Sequence, residues 1–441
     1  MRKIINHTLT ILLILQLNDG ITQTYSNHRA VEAYAQWNEE EPSVSIRWKF
    51  NENAQSYTIY KRRYSSTDWG NSIASLSGND TIYVDNDVDT LIVYEYAIEK
   101  TTNIIDPFDR PNLLKGYSYI TTAHKKPAVH SRGTMGLIVT ENIETNLSAE
   151  VKVLIQDLHA DGWKVFKEVL SSTASVSDVS LLIKARNKQF GCNAIYLLGH
   201  VPVPYSGLYC EDPDYPGPPD GHGKTDANSH CGAWPSDVYY GVTDGAWTDL
   251  DSTTLGKREE NKNRIGDGKF DNIRIPGEVS IGVGRVDFSN LPALNKSEIE
   301  LTRQYLNKIH LYKTGQVRLI QQGIIEDNFN SLAEGFGAGA VRDFSAICGK
   351  DGVIYDDVLN NTQNKNYALS YTCGAGWYYL CNGFGATINF NSRNAAAFNH
   401  LFGSFFGDFD SENNSLRGSL ASSKLGYACI YSGRPNWLSH S

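Results

Sequence analysis

The amino-acid sequence predicts a multidomain protein, an all-β sandwich followed by an α/β domain with a mainly parallel sheet. Short alternating segments separated by turn residues recur between residues 43 and 100. From Gly133 onward, apolar strands and amphipathic helices take turns along the chain. The 441 residues suffice for about two or three domains of roughly 150 residues each. Hydrophobic residues at 41% and charged residues at 20% suit folded domains and exclude general disorder. A net charge of -9 without any Lys/Arg-rich run excludes nucleic-acid binding as a main role.

The N-terminus carries Arg2 and Lys3 ahead of an apolar run from Leu9 to Leu17. That is the layout of a secretory signal peptide, expected over residues 1–25 with cleavage between Asn18 and Ser26. The run is too short to span a bilayer comfortably, and no later run is long and apolar enough. The mature chain is therefore expected to be secreted or at the cell surface, without a membrane span. The 25 Tyr, 38 Gly and 2 Met suit a strand- and loop-rich extracellular protein. Export permits disulfides, and the odd count of 7 Cys leaves at least one thiol over. Cys210 and Cys231 bracket a Pro/Gly-rich loop and form the first expected pair; Cys373 and Cys381 form the second.

Residues 30–124 read as the β domain. The segment Ser43 to Phe50 alternates, with Val44, Ile46 and Trp48 on one face, and Ser56 to Lys61, Thr81 to Asp85 and Val93 to Lys100 continue the pattern. Residues 133–441 read as the α/β domain. Met135 to Val139 is a strand. Val151, Leu154, Ile155 and Leu158 share one face of a helix over Ser148 to Leu158. A strand at Trp163 to Val169, a helix at Val176 to Phe190 and a strand at Ala194 to Leu198 follow, the spacing of a parallel sheet with crossover helices. A helix is expected over Ser297 to Tyr312, and strands over Val279 to Gly282, Val317 to Ile320, Ala368 to Tyr371, Phe398 to Phe402 and Tyr427 to Tyr431. Open parallel sheets hold ligands outside the carboxyl ends of their strands. That rule directs attention to Gly199-His200, to the turn Gly374 to Gly376, and to Gly403-Ser404.

The strands bearing Trp48, Tyr57 with Tyr60, and Tyr94 with Tyr96 resemble the fibronectin type III pattern. From about residue 135 the chain resembles the catalytic domain of gingipain-type cysteine peptidases, which implies a caspase-like fold. Three groups of motifs carry this. The first is Tyr196 to His200, then Pro235 to Tyr240, then Val279 to Arg285. The second is Tyr371 to Gly376 with Phe384 to Thr387, and the third is Gly403 to Phe409. The resemblance places the family's general-base His on Ala375 and its nucleophilic Cys on Ser404. Ala375 cannot move a proton, and Ser404 without a base is an ordinary alcohol. The resemblance thus implies the fold more than the activity. It also implies a chain shortened at its C-terminus or a sheet finished differently, because such domains continue past Tyr431.

Several chemistries remain open. Cys373, beside the Gly-Ala-Gly turn, is a candidate relocated nucleophile with His200 or His400 as base. Ser404 with His200 or a loop His as base would make a serine hydrolase, although no Gly-x-Ser-x-Gly surrounds it. A His400–Ser404 bond is excluded if strand geometry persists, since four residues span about 13 Å. The loop from Tyr205 to Trp234 carries Asp220, His222 and His230, which would suit zinc or calcium. The acidic runs Asp244 to Asp251 and Asp408 to Glu412 read as solvated faces or calcium sites. Asp157 to Asp161 reads as a helix C-terminus, and Arg434 as half of a structural ion pair. The favoured reading is an exported protein whose peptidase-like domain is degenerate and binds a protein or peptide ligand. The alternatives are a cysteine-type endopeptidase rearranged around Cys373, or a serine- or metal-dependent hydrolase.

Overall fold

The computed structural model describes residues 24–38, 40–124, 131–209, 231–330, 335–405 and 407–432. Residues 1–23 of the expected signal peptide, with Cys210, Asp220, His222, His230 and Arg434, lie outside them. The chain forms two compact units, Met1–Lys126 with Ile325–Tyr355, and Pro127–Ile324 with Asp356–Ser441. The result is a mixed α/β protein with several sheets, parallel ones among them. Among the described residues, no helix is long and apolar enough to cross a membrane.

The first unit starts with a short helix, α1 (Thr24–His28). Seven strands follow: β1 (Ala33–Asn38), β2 (Ser43–Trp48), β3 (Ala54–Arg63), β4 (Ala74–Ser77), β5 (Ile82–Asp85), β6 (Val93–Ile105) and β7 (Leu113–Ala123). They pair as one sheet in the order β1-β2-β5 and another in the order β4-β3-β6-β7, all antiparallel. The alternation read in the sequence is what closes them together. Val44, Ile46 and Trp48 of one sheet share a core with Tyr57, Ile59, Tyr96 and Ile98 of the other. Trp48 and Tyr57 meet at 5.0 Å between ring centroids. Burying each of these side chains stabilises by about 1.5–3 kcal/mol. Lys100, also buried, is satisfied by the carbonyls of Asn27 and Ala30 at 2.9 and 2.7 Å, and burial lowers its pKa to about 8. The helix Ala338–Cys348 belongs to this unit.

The second unit is wound around a four-stranded sheet. Its elements are β8 (Gly133–Thr140), α2 (Glu141–Ala160), β9 (Trp163–Leu170), α3 (Val176–Phe190), β10 (Cys192–Leu198), a hairpin of β11 (Tyr205–Tyr209) and β12 (Gly232–Pro235), and β13 (Gly282–Val286). Spatial order is β9-β8-β10-β13, with every pair parallel. Val151 and Leu154 of α2 pack with Leu137 and Val139, whereas Val179 and Ile183 of α3 pack with Ile138, Ile195 and Leu197. Alternate residues of β8 therefore face opposite helices. Ser175 caps α3 in a reciprocal pair with Asp178, and Gly191, at φ 66°, ends it.

Next come α4 (Glu298–Lys313), capped by Ser297 with Glu300, then β14 (Ile320–Asp327, grouped with this unit as far as Ile324), β15 (Tyr367–Cys373), β16 (Phe398–Phe402), α5 (Ser415–Ser422) and β17 (Ala428–Ser432). β15, β16 and β17 are parallel neighbours, with Cys373 opposite Phe402 and Phe402 opposite Ser432. Two expected strands are displaced along the chain. The amides of Ser280 and Ile281 bond the Gly241 carbonyl, so pairing begins only at Gly282 rather than over Val279 to Gly282. Val317 and Leu319 pack beside Tyr312 and Phe398, and the strand starts at Ile320 and runs to Asp327.

Candidate functional site

Both parallel sheets of the second unit end in chemistry-bearing residues, and the two ends differ. At the first, Gly199 has φ 92°, and a Cβ there would lie 2.3 Å from Thr140 Oγ1. Glycine is thus required for the chain to turn tightly out of β10, where it delivers His200. In the order β9-β8-β10-β13 the winding direction reverses between β8 and β10, so His200 stands at the topological switch point.

His200 Nδ1 lies 2.9 Å from Asp287 Oδ2 and 3.1 Å from Ser289 Oγ. The Ser289 hydroxyl also donates to Asp287 Oδ1 at 2.7 Å. Aspartate and serine share the same ring nitrogen, so this is not a Ser-His-Asp relay, in which the base uses one nitrogen for each. His200 is 61% exposed and Asp287 only 2%. The Asp287 hydrogen bond raises the imidazole pKa against the effect of its partial burial. Burial would push the Asp287 carboxyl up, but the His200 bond and the Arg417 and Arg285 charges hold it below the usual range. Arg417, itself buried, donates to the carbonyls of Ser289 and Ser411, each at 2.7 Å. Two of the resembling motifs also meet here: Arg285 grips Asp237 through Nε at 2.7 Å and Nη2 at 2.8 Å.

At the second end, the Gly374 amide donates to the Phe402 carbonyl at 3.1 Å, extending the β15–β16 pairing past Cys373. The stretches carrying Ala375 and Ser404 thus leave adjacent strand ends. Cys373 is completely buried. Cys373 and Cys381 both keep their thiols, so the expected second disulfide does not form. The ribbon of Gly376–Trp377 with Leu380–Cys381 sets Cys381 opposite Gly376 instead. His400 lies inside β16, opposite Tyr371 and Ile430, two residues short of the strand end. The His200 ring bonds to Asp287 and Ser289.

Directly after Ser404, Phe405 adopts φ 65°, a conformation costly for a bulky side chain. Its ring packs on Trp377 at 4.9 Å and Tyr378 at 5.3 Å. Below, Arg258 binds Asp408 at 2.9 Å and Asp410 at 3.0 Å, Tyr205 donates its hydroxyl to Asp410, and the Asn261 amide donates to Asp408 at 3.3 Å. The solvated face expected for Asp408 to Glu412 therefore fails at Asp408, while Glu412 is exposed as expected. Asp408 is fully buried because it faces a guanidinium and not water. Burial, opposed by Arg258, pushes its carboxyl up to about 7. Among the described residues, no group of three His, Cys, Asp or Glu is arranged to hold a metal ion. Asp157, expected only to close a helix, pairs with His310 at 3.0 Å.

Arg258, Asp287 and Arg417 went unrecognised in the sequence. Asp287 was accessible in principle, as it directly follows a strand of the parallel sheet. Arg258 and Arg417 sit in segments with no distinguishing pattern.

No family model and no curated protein matches the chain. Among solved structures it is similar to the Arg-specific cysteine proteinase gingipain R, at 12% identity over 68% of this chain and 61% of that one, with a TM-score of 0.39. An Fn3-like protein from Clostridium thermocellum matches at 18% identity over 23% of this chain and 100% of that one, with a TM-score of 0.18. Pectate lyase PelI from Erwinia chrysanthemi matches at 15% identity over 25% of this chain and 33% of that one, with a TM-score of 0.17. The chain thus spans a third of the pectate lyase and about three-fifths of the gingipain. At these scores the likenesses decide neither family nor activity.

Proposed function

We propose that this is an exported or cell-surface protein whose caspase-like, gingipain-related domain no longer cleaves peptides and serves to bind a protein or peptide ligand. A fibronectin type III-like module precedes that domain. The observation that carries this reading is the second sheet end. The resemblance puts Ala375 where a base is needed, and Cys373, two residues before it, is completely buried. A thiol nucleophile must be ionised and within reach of its substrate. His200 is exposed and basic, but its hydrogen bonds serve Asp287 and Ser289.

The test is intact mass of the native chain after a peptidyl acyloxymethyl ketone and, separately, after a fluorophosphonate. The expected result is no adduct from either. A stoichiometric ketone adduct that disappears in Cys373→Ala would establish a rearranged cysteine peptidase. A fluorophosphonate adduct lost in Ser404→Ala would establish a serine hydrolase.

A further inference from the structure

The outer face of the four-stranded sheet in the first unit bears an aromatic trough. Its three long strands align in rows: Thr58, Glu99 and Tyr117; Tyr60, Ala97 and Tyr119; Arg62, Glu95 and Thr121. Neighbouring strands lie about 4.8 Å apart, so Tyr60 and Tyr119 rise roughly 10 Å from one another with Ala97 as a low floor between them. Tyr117 and Tyr119 stack along β7, nearly parallel at 5° and 6.5 Å apart. Trp69, from the loop after β3, folds back to lie 5.9 Å from Tyr119 and stacks on the Arg62 guanidinium at 4.2 Å. Tyr119 is 51% exposed. Tyr60, Trp69 and Tyr117 are half-buried around it, and a cluster of rings that reaches the surface in this way is a candidate interaction site.

The chemistry of the face selects among occupants. The charges on its strands are paired, Arg62 with Glu95 at 2.7 Å and Lys115 with Glu99 at 2.6 Å, and the Arg342 guanidinium lies 5.8 Å from the centre of the Tyr119 ring. A polyanion or polycation gains little from such a surface. The three rows carry no Leu, Ile, Val or Met, so an apolar protein surface, including that of a second copy, finds no aliphatic core to complete. What remains is rings flanked by fixed carboxylates, a guanidinium and the hydroxyls of Thr58 and Thr121. A pyranose is the complement, with C–H bonds on its faces and hydroxyls around its rim. We infer that this sheet face is a binding site for a neutral polysaccharide, whose sugar rings lie on Tyr119, Tyr117 and Trp69 while Glu95, Glu99 and Arg62 bond their hydroxyls. This site is separate from the peptide ligand proposed above and does not depend on it.

The full chain tests this by affinity gel electrophoresis through soluble mixed-linkage β-glucan, xyloglucan, glucomannan and starch, with polygalacturonate and heparin as charged controls. Retardation by at least one neutral polymer is expected, persisting in 0.5 M salt because the charges are paired at short range. Tyr119→Ala and Trp69→Ala should each weaken it tenfold or more while circular dichroism stays as in wild type. Tyr119→Phe, which keeps the ring, should retain most of the binding. Migration unaffected by every neutral polymer would overturn the inference, as would retardation by the charged controls alone or equal binding by the ring-deleted variants. Self-association that Tyr119→Ala abolishes, with no glycan binding, would assign the face to a second copy instead.

Discussion

The two parallel-sheet ends of the second unit each place a glycine directly before the residue delivered beyond a strand, yet of Gly199, Gly374 and Gly403 it is Gly199 that takes a positive φ, and the ends have opposite chemical character. At the end of β10, His200 is open to water and held by a buried aspartate. At the ends of β15 and β16 the corresponding turns deliver Ala375 and Ser404, with the thiol of Cys373 sealed beneath. On the reading proposed above, the second end keeps the scaffolding of a reactive edge without its reacting groups. Ionic constraints persist at both ends, through Arg417 on Asp287 in one and Arg258 on Asp408 and Asp410 in the other. They hold the loops whether or not chemistry takes place there.

The largest effect should come from removing such a constraint. Arg258→Ala leaves Asp408 buried with no cation, and breaking a buried pair from one side costs about 3–5 kcal/mol. Urea unfolding should show this loss, and a change under about 1 kcal/mol would mean that the loop is not held through Arg258. A somewhat smaller and pH-dependent effect is expected for Asp408→Asn. The folded carboxyl titrates at about 7, well above its unfolded value, so folding retains a proton that the unfolded chain gives up. Wild-type stability should therefore fall as pH rises from about 4 to 7, by on the order of a few kcal/mol. Asp408→Asn should flatten that slope and raise Tm at pH 8 relative to wild type. An unchanged slope would mean that Arg258 keeps Asp408 ionised throughout.

These predictions concern residues that the sequence hid, and the reason is physical. The sandwich was legible because alternation is local: Val44, Ile46 and Trp48 announce their shared face without reference to any partner. The doubly wound sheet was legible too, since Val151, Leu154 and Leu158 carry the helical period and the β8 and β10 runs are continuously apolar. The site was less so. Asp408 sits in an acidic run that looks solvated, and only the approach of Arg258, 150 residues earlier in the chain, makes it a buried group. The helix Ala338–Cys348, only 11 residues long, groups with strands more than 200 residues before it. Distant pairing of this kind leaves no periodic trace.

Thiol chemistry sharpens the contrast between the two ends. Cys373 and Cys381 are both fully buried, and burial raises the Cys429 thiol to about 12. Iodoacetamide on the native chain at pH 8 should leave all three unmodified over minutes, with alkylation appearing only in denaturant. Rapid native labelling of Cys373 would make the second edge open and reactive.

The smallest effect belongs to the open edge. The pKa of His200 is raised in the folded chain, chiefly by its bond to Asp287. Its stabilising contribution is therefore complete below the unfolded value of about 6.5 and disappears as pH rises through the folded pKa. Solvent screens a group this exposed, so the contribution should stay under about 1 kcal/mol. His200→Ala should lower stability slightly at pH 5 and leave it unchanged at pH 9, because Arg417 and Arg285 still face Asp287. A loss at pH 9 as large as at pH 5 would mean that His200 supports the edge by packing. The imidazole would then titrate alike in the folded and unfolded chain, its bond to Asp287 would add no pH-dependent stability, and the asymmetry between the two sheet ends would reduce to burial alone.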